Sequence, residues 1–379
     1  FRITGSDRLY SCLPLCHTAA IGGLSLCWWL GIPMILAPKF SASSFWRECT
    51  HHRATVVQYV GELCRFLAHS PPSAHDRAHS VRLAFGNGLR PDVWPLFKSR
   101  FGIPQIGEVY ASTEGNANLA NTEGKEGAVG FVSPLLAPMY PVKLVRVADT
   151  TTGALLRAAD GRCVQCAPGE VGELLGLVNQ RDASRNFAGY TDGAATRRKL
   201  VRDVAKRGDC WFRTGDLLKA DCEGFVYFVD RMGDTFRYKG ENVSTAEVGS
   251  VVGAACGDAV QHALVYGVSL PGVDGRVGMA ALVLAEGVAA AEIGMQSLYE
   301  KMEGQLPEYA VPRFFRLLAS GDGIESTITW KPKKEKLMQE GVEIGSAGVV
   351  YVRDADNRTY VSLDETVREK IKNGQWRLG

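Results

Sequence analysis

Short runs of apolar, mostly β-branched or aromatic residues alternate along this chain with longer stretches of helical spacing. Nearly every run stops in a glycine-rich or polar turn. Thr55 to Val60 is the first clear strand pattern. Val81 to Phe85 is a second, ending in Gly86-Asn87-Gly88, and Ile106 to Tyr110 is a third, followed by Ala111-Ser112-Thr113-Glu114-Gly115. This alternation predicts α/β layering, and turns that follow strands are where open α/β sheets bind ligands. From Val142 to Val147 apolar and basic residues alternate as in a half-exposed strand. Gly169 to Leu177 has the same character, so a smaller β subdomain is expected over about residues 130 to 225.

The tail has a different texture. Ser244-x-x-Glu247 forms a capping box ahead of a Val-rich segment reaching Cys256. Strands are expected at Ala263 to Val268, Gly278 to Leu284 and Arg313 to Leu318, with a helix from Ala289 to Gln305. The expected fold is an incomplete α/β large domain over residues 1–230, built of layered sheets with the β subdomain inside it. A small α+β domain follows over residues 231–379, with the boundary at Asp230 to Gly233. The stretch from Thr214 to Val248 spans that boundary. In it a Thr-Gly-Asp sits at the end of one apolar run, Asp230-Arg231 closes the next, and a Gly- and Lys-bearing turn precedes a helix start. Asp216 and Arg231 suit the hydroxyls of a sugar.

Composition narrows the function classes. At 379 residues, two or three domains and a sizeable core are expected. Apolar content of 46% and charged content of 22% are ordinary for a globular protein. A net charge of +2 argues for no nucleic-acid partner. Ten cysteines without a regular framework read as reduced and intracellular. The pair Cys163-x-x-Cys166 lacks a second pair or a His partner at zinc spacing, which favours free thiols. Between Cys12 and Pro38 no Asp, Glu, Lys or Arg occurs, but Pro14, Gly22, Gly23, Gly31 and Pro33 cut the run. The pieces are shorter than the ~20 residues of a bilayer-spanning helix, so a buried strand and helix are expected there.

The motifs taken together resemble the acyl-adenylate-forming (AMP-binding) superfamily, and within it the fatty acid transport protein / very-long-chain acyl-CoA synthetase family. The segments carrying the resemblance are LPLCHTAA (Leu13 to Ala20), KFSASSFW (Lys39 to Trp46), VVQYVGELCRFL (Val56 to Leu67) and FGNGLRPDVW (Phe85 to Trp94). VYASTEGNANLAN (Val109 to Asn121) and RMGDTFRYKGENVSTAEV (Arg231 to Val248) complete the set, and the similarity runs up to Gln375. The resemblance implies ATP-dependent joining of a fatty acid to AMP, followed by exchange of AMP for coenzyme A. The physical difficulty of that reaction is a weak carboxylate nucleophile attacking an anionic phosphate.

By the same resemblance, Thr113 would hydrogen-bond a phosphate and Glu114 would hold Mg²⁺. Tyr110 would stack on adenine, and Gly86, Asn87 and Gly88 would let backbone approach the base. Asp216 and Arg231 would take the ribose. His17 matches a position near the acyl and phosphate entry, although a lone His beside an apolar run is more often structural. Lys331, in TITWK (Thr327 to Lys331), would reach the reacting carboxylate and the α-phosphate. Lys333, Lys334 and Lys336 offer a competing basic face or a contact for the phosphates of coenzyme A. Ile328 stands where the family has Gly. Gly233 stands at the pivot of the family's domain rotation, and Gly240, Glu241 and Asn242 would turn toward the thiolation tunnel. Glu247 is better explained as a helix cap than as a catalytic base.

The family's Ser/Thr/Gly-rich phosphate loop ending in Gly-x-Pro-Lys is not in the sequence. Relatives carry it upstream of Leu13 to Ala20, so the chain is expected to start after it and not to complete adenylation by itself. The resemblance further implies association with endoplasmic reticulum, peroxisome or plasma membrane through an amino-terminal part, and it allows a homodimer. Two other readings stay open. One is a CoA ligase for a bile or aryl acid; the other is a non-catalytic protein that binds fatty acid and assists uptake.

Overall fold

The computed structural model describes the chain except residues 151, 233, 239–240, 271–272, 274, 321–333, 343–347, 374–375 and 377–379, and the side chains of Asn242, Glu335 and Lys372. Gly233, Gly240, Ile328, Lys331 and Lys333 therefore lie outside the described residues. The chain divides into two units. One holds Phe1–Ala148 and Leu155–Phe228; the other holds Asp149–Ala154 and the described residues from Val229 onward.

The first unit opens with strand Leu9–Ser11 (β1), helix Thr18–Leu30 (α1), strand Met34–Leu36 (β2), helix Phe45–His51 (α2) and strand Val56–Val60 (β3). Helix Gly61–Ala68 (α3), strand Leu83–Asn87 (β4), helix Val93–Phe101 (α4) and strands Gln105–Tyr110 (β5) and Leu119–Asn121 (β6) follow. The sheet order is β2-β1-β3-β4-β5-β6, with β1 to β5 parallel and β6 antiparallel. Every residue of β3 is buried, as a strand covered on both faces requires. The three sequence-read strands are all present, but β4 runs on into the glycine turn and takes Gly86 and Asn87 into the sheet. Only a residue without a side chain fits there, because a Cβ on Gly86 would lie 2.1 Å from the Tyr59 carbonyl oxygen.

The uncharged stretch divides into α1 and β2, as expected, but α1 is not buried as expected. Only its Ala20, Gly23 and Cys27 are fully buried, and Trp28 and Trp29 are 86% and 88% exposed. The helix is apolar all round, whereas a sheet covers one side of it. No helix among the described residues is long and apolar enough to cross a membrane.

A second sheet follows, in the same unit except for the end of its last strand, from Val229. Its strands are Ala128–Phe131 (β7), Val142–Val145 (β8), Val171–Leu177 (β11), Leu200–Arg202 (β12), Cys210–Ala220 (β13) and Phe225–Arg231 (β14). The short strands Val147–Asp149 (β9) and Ala154–Leu155 (β10) and helix Gly193–Arg198 (α5) lie between them in the chain. The order is β7-β14-β13-β11-β8, with β12 beside β13. The strand expected from Val142 to Val147 breaks at Arg146, whose guanidinium turns to Glu170 at 2.9 Å.

The second unit contains strands Phe236–Tyr238 (β15) and Glu241–Val243 (β16), helix Thr245–Cys256 (α6), and strands Val260–Val268 (β17) and Val277–Leu284 (β18). Helix Met295–Gln305 (α7), strand Phe314–Leu318 (β19), helix Glu335–Glu340 (α8), strands Val349–Asp354 (β20) and Thr359–Ser362 (β21) and helix Glu365–Lys372 (α9) complete it. Strands β17 to β21 form one sheet in sequence order. Ser244 caps α6, accepting the Glu247 N–H at 3.2 Å, as its sequence position predicts. Helix α7 starts at Met295 rather than Ala289, because a separate short turn at Ala290–Glu292 and Gly294 come first.

One packing contact ties the fold to its ligand-facing end. Gly61 opens α3 directly after β3, and a Cβ on it would lie 1.7 Å from the carbonyl oxygen of Gly88. Gly88 itself has φ of +78°, which disfavours other residues. Gly61→Ala must therefore push the glycine turn aside, at an expected cost of about 1–3 kcal/mol. Denaturant unfolding of the variant checks this, and an unchanged midpoint would show slack in the turn.

Candidate functional site

The parallel sheet delivers its candidate residues at the carboxyl ends of its strands, where open α/β sheets bind ligands. His17 follows β1, Gly86 to Gly88 close β4, Tyr110 is the last residue of β5, and Thr113 and Glu114 sit in the loop beyond it. The Thr18 and Thr113 hydroxyls lie 3.4 Å apart. Glu114 is exposed, and its Oε1 accepts the Tyr190 hydroxyl at 2.9 Å. His17 has a structural occupation, since its Nδ1 accepts the Ala19 N–H at 3.2 Å and caps α1.

Asp216 arrives from the other sheet of the same unit. The Thr-Gly-Asp turn does not end its strand, as the apolar pattern suggests; it is a bulge inside β13. Arg213 pairs with Leu175 and Leu217 with Glu173, so residues 214–216 face Leu174 alone. Gly215 takes φ of +79° there. Bulges re-aim side chains, and this one brings Asp216 Oδ2 to the Tyr110 hydroxyl at 2.6 Å, across 106 positions of sequence. Tyr110 is otherwise 8% exposed, so its hydroxyl is the polar end of a core residue.

The bulge is tied down from behind. Thr214 Oγ1 donates to the Leu174 carbonyl at 2.8 Å and accepts the Asp216 N–H at 3.1 Å. The Gly215 N–H donates to Glu173 Oε1 at 3.1 Å. Glu173 is fully buried and meets Arg213 Nη2 at 2.6 Å. Lys199 Nζ donates to the Thr214 carbonyl at 3.2 Å.

A matching arrangement supports the glycine turn. Glu108 in β5 is 1% exposed, and its Oε1 accepts the Leu89 N–H at 3.0 Å. Its Oε2 meets the Tyr59 hydroxyl, which also lies 2.9 Å from the Gly107 carbonyl oxygen. Burial pushes the Glu108 carboxyl up to about 8, against the opposing pull of the Tyr59 hydroxyl and the Leu89 and Gly88 N–H groups.

Glu108, Glu173 and Tyr190 were not singled out by sequence. For the two glutamates a signal existed: each is the lone carboxylate in an apolar strand run, IGEVY and VGELLGL. A buried charge must find partners. Tyr190, in a polar loop, carries no such signal.

Arg231 ends β14 and falls in the second unit, where its N–H donates to Asp230 Oδ1 at 2.8 Å. Asp230 is buried beneath the start of α6 and also accepts the N–H groups of Thr245 and Ala246. In the lysine run, Lys334 is committed locally, with Nζ 3.1 Å from Thr245 Oγ1 and 3.8 Å from Asp234. Among the described residues no three His, Cys, Asp or Glu side chains gather as a metal cage. A single exposed carboxylate such as Glu114 fits Mg²⁺ all the same, because that ion takes one or two carboxylates beside phosphate oxygens and water.

Comparison with known proteins identifies the family. The model of the family "AMP-binding enzyme" matches residues 1–177, and that of "AMP-binding enzyme C-terminal domain" matches residues 254–327. The chain is 42% identical over 380 residues to long-chain fatty acid transport protein 1 of Mus musculus, covering all of this chain and 57% of the relative. It is 44% identical over 375 residues to long-chain fatty acid transport protein 5 of Mus musculus, covering 98% of this chain and 53% of the relative. The chain thus spans little more than half the length of these curated relatives. Among solved structures, ATP-bound MatB from Rhodopseudomonas palustris shares the fold with a TM-score of 0.70 at 24% identity, over 89% of this chain and 61% of that one. O-succinylbenzoate coenzyme A synthetase from Bacillus subtilis, solved with AMP, gives 0.65 at 24% identity, over 92% and 63%. With both models matching in order, and with relatives aligned along its whole length, the chain belongs to the AMP-binding enzyme family.

Proposed function

We propose that this chain is the part of an acid–thiol ligase that holds the nucleotide's base and sugar while a long- or very-long-chain fatty acid is activated to acyl-CoA through an acyl-adenylate. The observation that carries this reading is the Tyr110–Asp216 hydrogen bond. It joins the bulged strand to the end of β5, the strand that leads into the Thr113-Glu114 loop, within one unit. A carboxylate accepts several hydrogen bonds at once, so a vicinal diol can be held at Asp216 while Tyr110 fixes its orientation. The glycine turn presents backbone to the base, and Thr113 donates to a phosphate oxygen. Mg²⁺, held by Glu114 together with nucleotide oxygens, would supply neutralisation of phosphate charge. Lys331 and Arg231 enter on family resemblance, Lys331 for the charge that develops at the α-phosphate and Arg231 for the sugar.

The long-chain assignment draws on the relatives named as long-chain fatty acid transport proteins, and on coverage of this chain by them at 42–44% identity. A CoA ligase for a smaller carboxylate is the second reading, because solved structures sharing the fold include a benzoate CoA ligase and an O-succinylbenzoate coenzyme A synthetase. Uptake, membrane association and pairing of two copies belong to the proposal for the whole protein.

The test is thioester formation that depends on ATP, Mg²⁺ and CoA, measured across acyl chain lengths in the full-length protein containing this region. Turnover on acids of 16 carbons or more above that on benzoate is the expected result; the reverse order would favour the second reading. Lys331→Ala is expected to slow acyl-adenylate formation about 10²–10³-fold, as loss of a transition-state donor does. If Lys333→Ala has that effect and Lys331→Ala does not, the register of the lysine is wrong.

Tyr110→Phe removes one hydrogen bond to a charged group, worth about 1.5–3 kcal/mol. It is expected to raise the KM for ATP about tenfold or more. A KM for ATP within twofold of wild type would remove Tyr110 from the sugar site.

A further inference from the structure

Hydrogen-bond arithmetic around the glycine turn leads beyond the residues that contact a nucleotide. The Tyr59 hydroxyl has one proton and two acceptors in reach, the Gly107 carbonyl and Glu108 Oε2. If Glu108 were ionised, Tyr59 would have to donate to it, and Gly107 would lose that bond. If Glu108 carries a proton on Oε2, it donates to the Tyr59 oxygen and Tyr59 donates to Gly107. Oε1 still accepts the Leu89 N–H at 3.0 Å. Every group is then satisfied, and no unpaired charge sits in a site that is 1% exposed.

The titratable groups facing Glu108 are Tyr59 on β3 and Cys64 on α3. Burial raises both well above their ordinary values, so neither supplies a compensating charge. Across the turn, the Gly61 backbone leaves no room beside the Gly88 carbonyl. The turn is thus blocked on one side and held by Glu108 on the other.

We infer that Glu108 is a positioning residue for the purine-facing turn Gly86 to Gly88, acting as a neutral acid that bridges Tyr59 of β3 to the Leu89 N–H. This rests on the reading that the turn receives the base. Recognition by backbone edges requires the backbone to be fixed within about 0.5 Å, and a bonded N–H at the end of the turn achieves that. A neutral bridge fits the raised carboxyl value of about 8. It also sets a pH dependence. The folded protein keeps the proton up to about 8 while an unfolded chain releases it near the ordinary 4.5. Glu108 therefore contributes stability that is full below pH 4.5 and lost as pH rises to 8.

The experiment compares wild type, Glu108→Gln and Glu108→Ala in AMP titration calorimetry, and in hydrogen exchange of the segment Gly86 to Arg90 in the nucleotide-free protein. A glutamine can donate through Nε2 to Tyr59 and accept through Oε1 from Leu89. Glu108→Gln is expected to keep exchange protection and AMP affinity within about threefold of wild type. It should also remove the loss of protection between pH 5 and 8 that wild type shows after correction for intrinsic exchange. Glu108→Ala is expected to speed exchange of the turn tenfold or more and to weaken AMP by a similar factor, with exchange in β17 to β21 unchanged. Unaltered turn exchange in Glu108→Ala overturns the positioning role. Damage by Gln equal to that by Ala overturns the neutral-acid role, and so does a wild-type turn whose protection is flat from pH 5 to 8. If Glu108→Ala fails to fold, the wild-type and Gln pH profiles still decide. If wild type takes up no AMP while the exchange results stand, the nucleotide reading fails and the tether does not.

Discussion

A carboxyl group removed from water must find its hydrogen bonds inside the protein, and the arrangement of this site depends on that constraint at two points. Glu108 and Glu173 are both buried, and each spends an oxygen on a backbone N–H of a turn that faces the candidate ligand. The partners are Leu89, just past the glycine turn, and Gly215, in the middle of the bulge. These are the turns whose backbones leave regular geometry, with positive φ at Gly88 and Gly215. A turn without strand or helix partners has N–H groups to satisfy. A carboxyl projecting from a neighbouring strand satisfies one and fixes the turn relative to a sheet. The candidate site residues then inherit their positions: Asp216 from the bulge, Tyr110 from the end of β5, and the glycine turn from the end of β4.

How much of this is legible in the sequence follows from which forces are local. Period and β-branching located β3, β5 and β11 closely, because a buried parallel or central strand is mostly apolar. The Ser244 cap was legible for the same reason, since its bond spans three residues. The bulge at residues 214–216 was not legible, because it is a mismatch of register between β13 and β11 and neither strand shows it alone. Tyr110 and Asp216 were read as contacts for adenine and for ribose. Their bond to each other depends on two sheets meeting, and sequence spacing does not report that. Helix α1 was misjudged in the opposite direction. An all-round apolar pattern implies an all-round apolar environment, but one sheet supplies cover on one side, leaving Trp28 and Trp29 outside.

The two buried acids also show why location alone does not decide a carboxyl's role. Glu173 meets the guanidinium of Arg213, so its charge is matched where it lies, and the pair can hold Gly215 as a carboxylate. Glu108 has a phenol and two backbone amides instead, all of them neutral. At an effective dielectric of about 20 a cation 4 Å away offsets roughly 4 kcal/mol, and a phenol supplies no such charge. Removing water therefore leaves Glu173 a route that keeps the charge, and leaves Glu108 a route that gives it up. The bulge is anchored by an ion pair, and the glycine turn by a hydrogen-bond chain running from Gly107 through Tyr59 and Glu108 to Leu89. In the first anchor the carboxyl lies against a guanidinium, a group that stays charged. The second anchor has no such cation, and its one ionisable carboxyl is Glu108 itself.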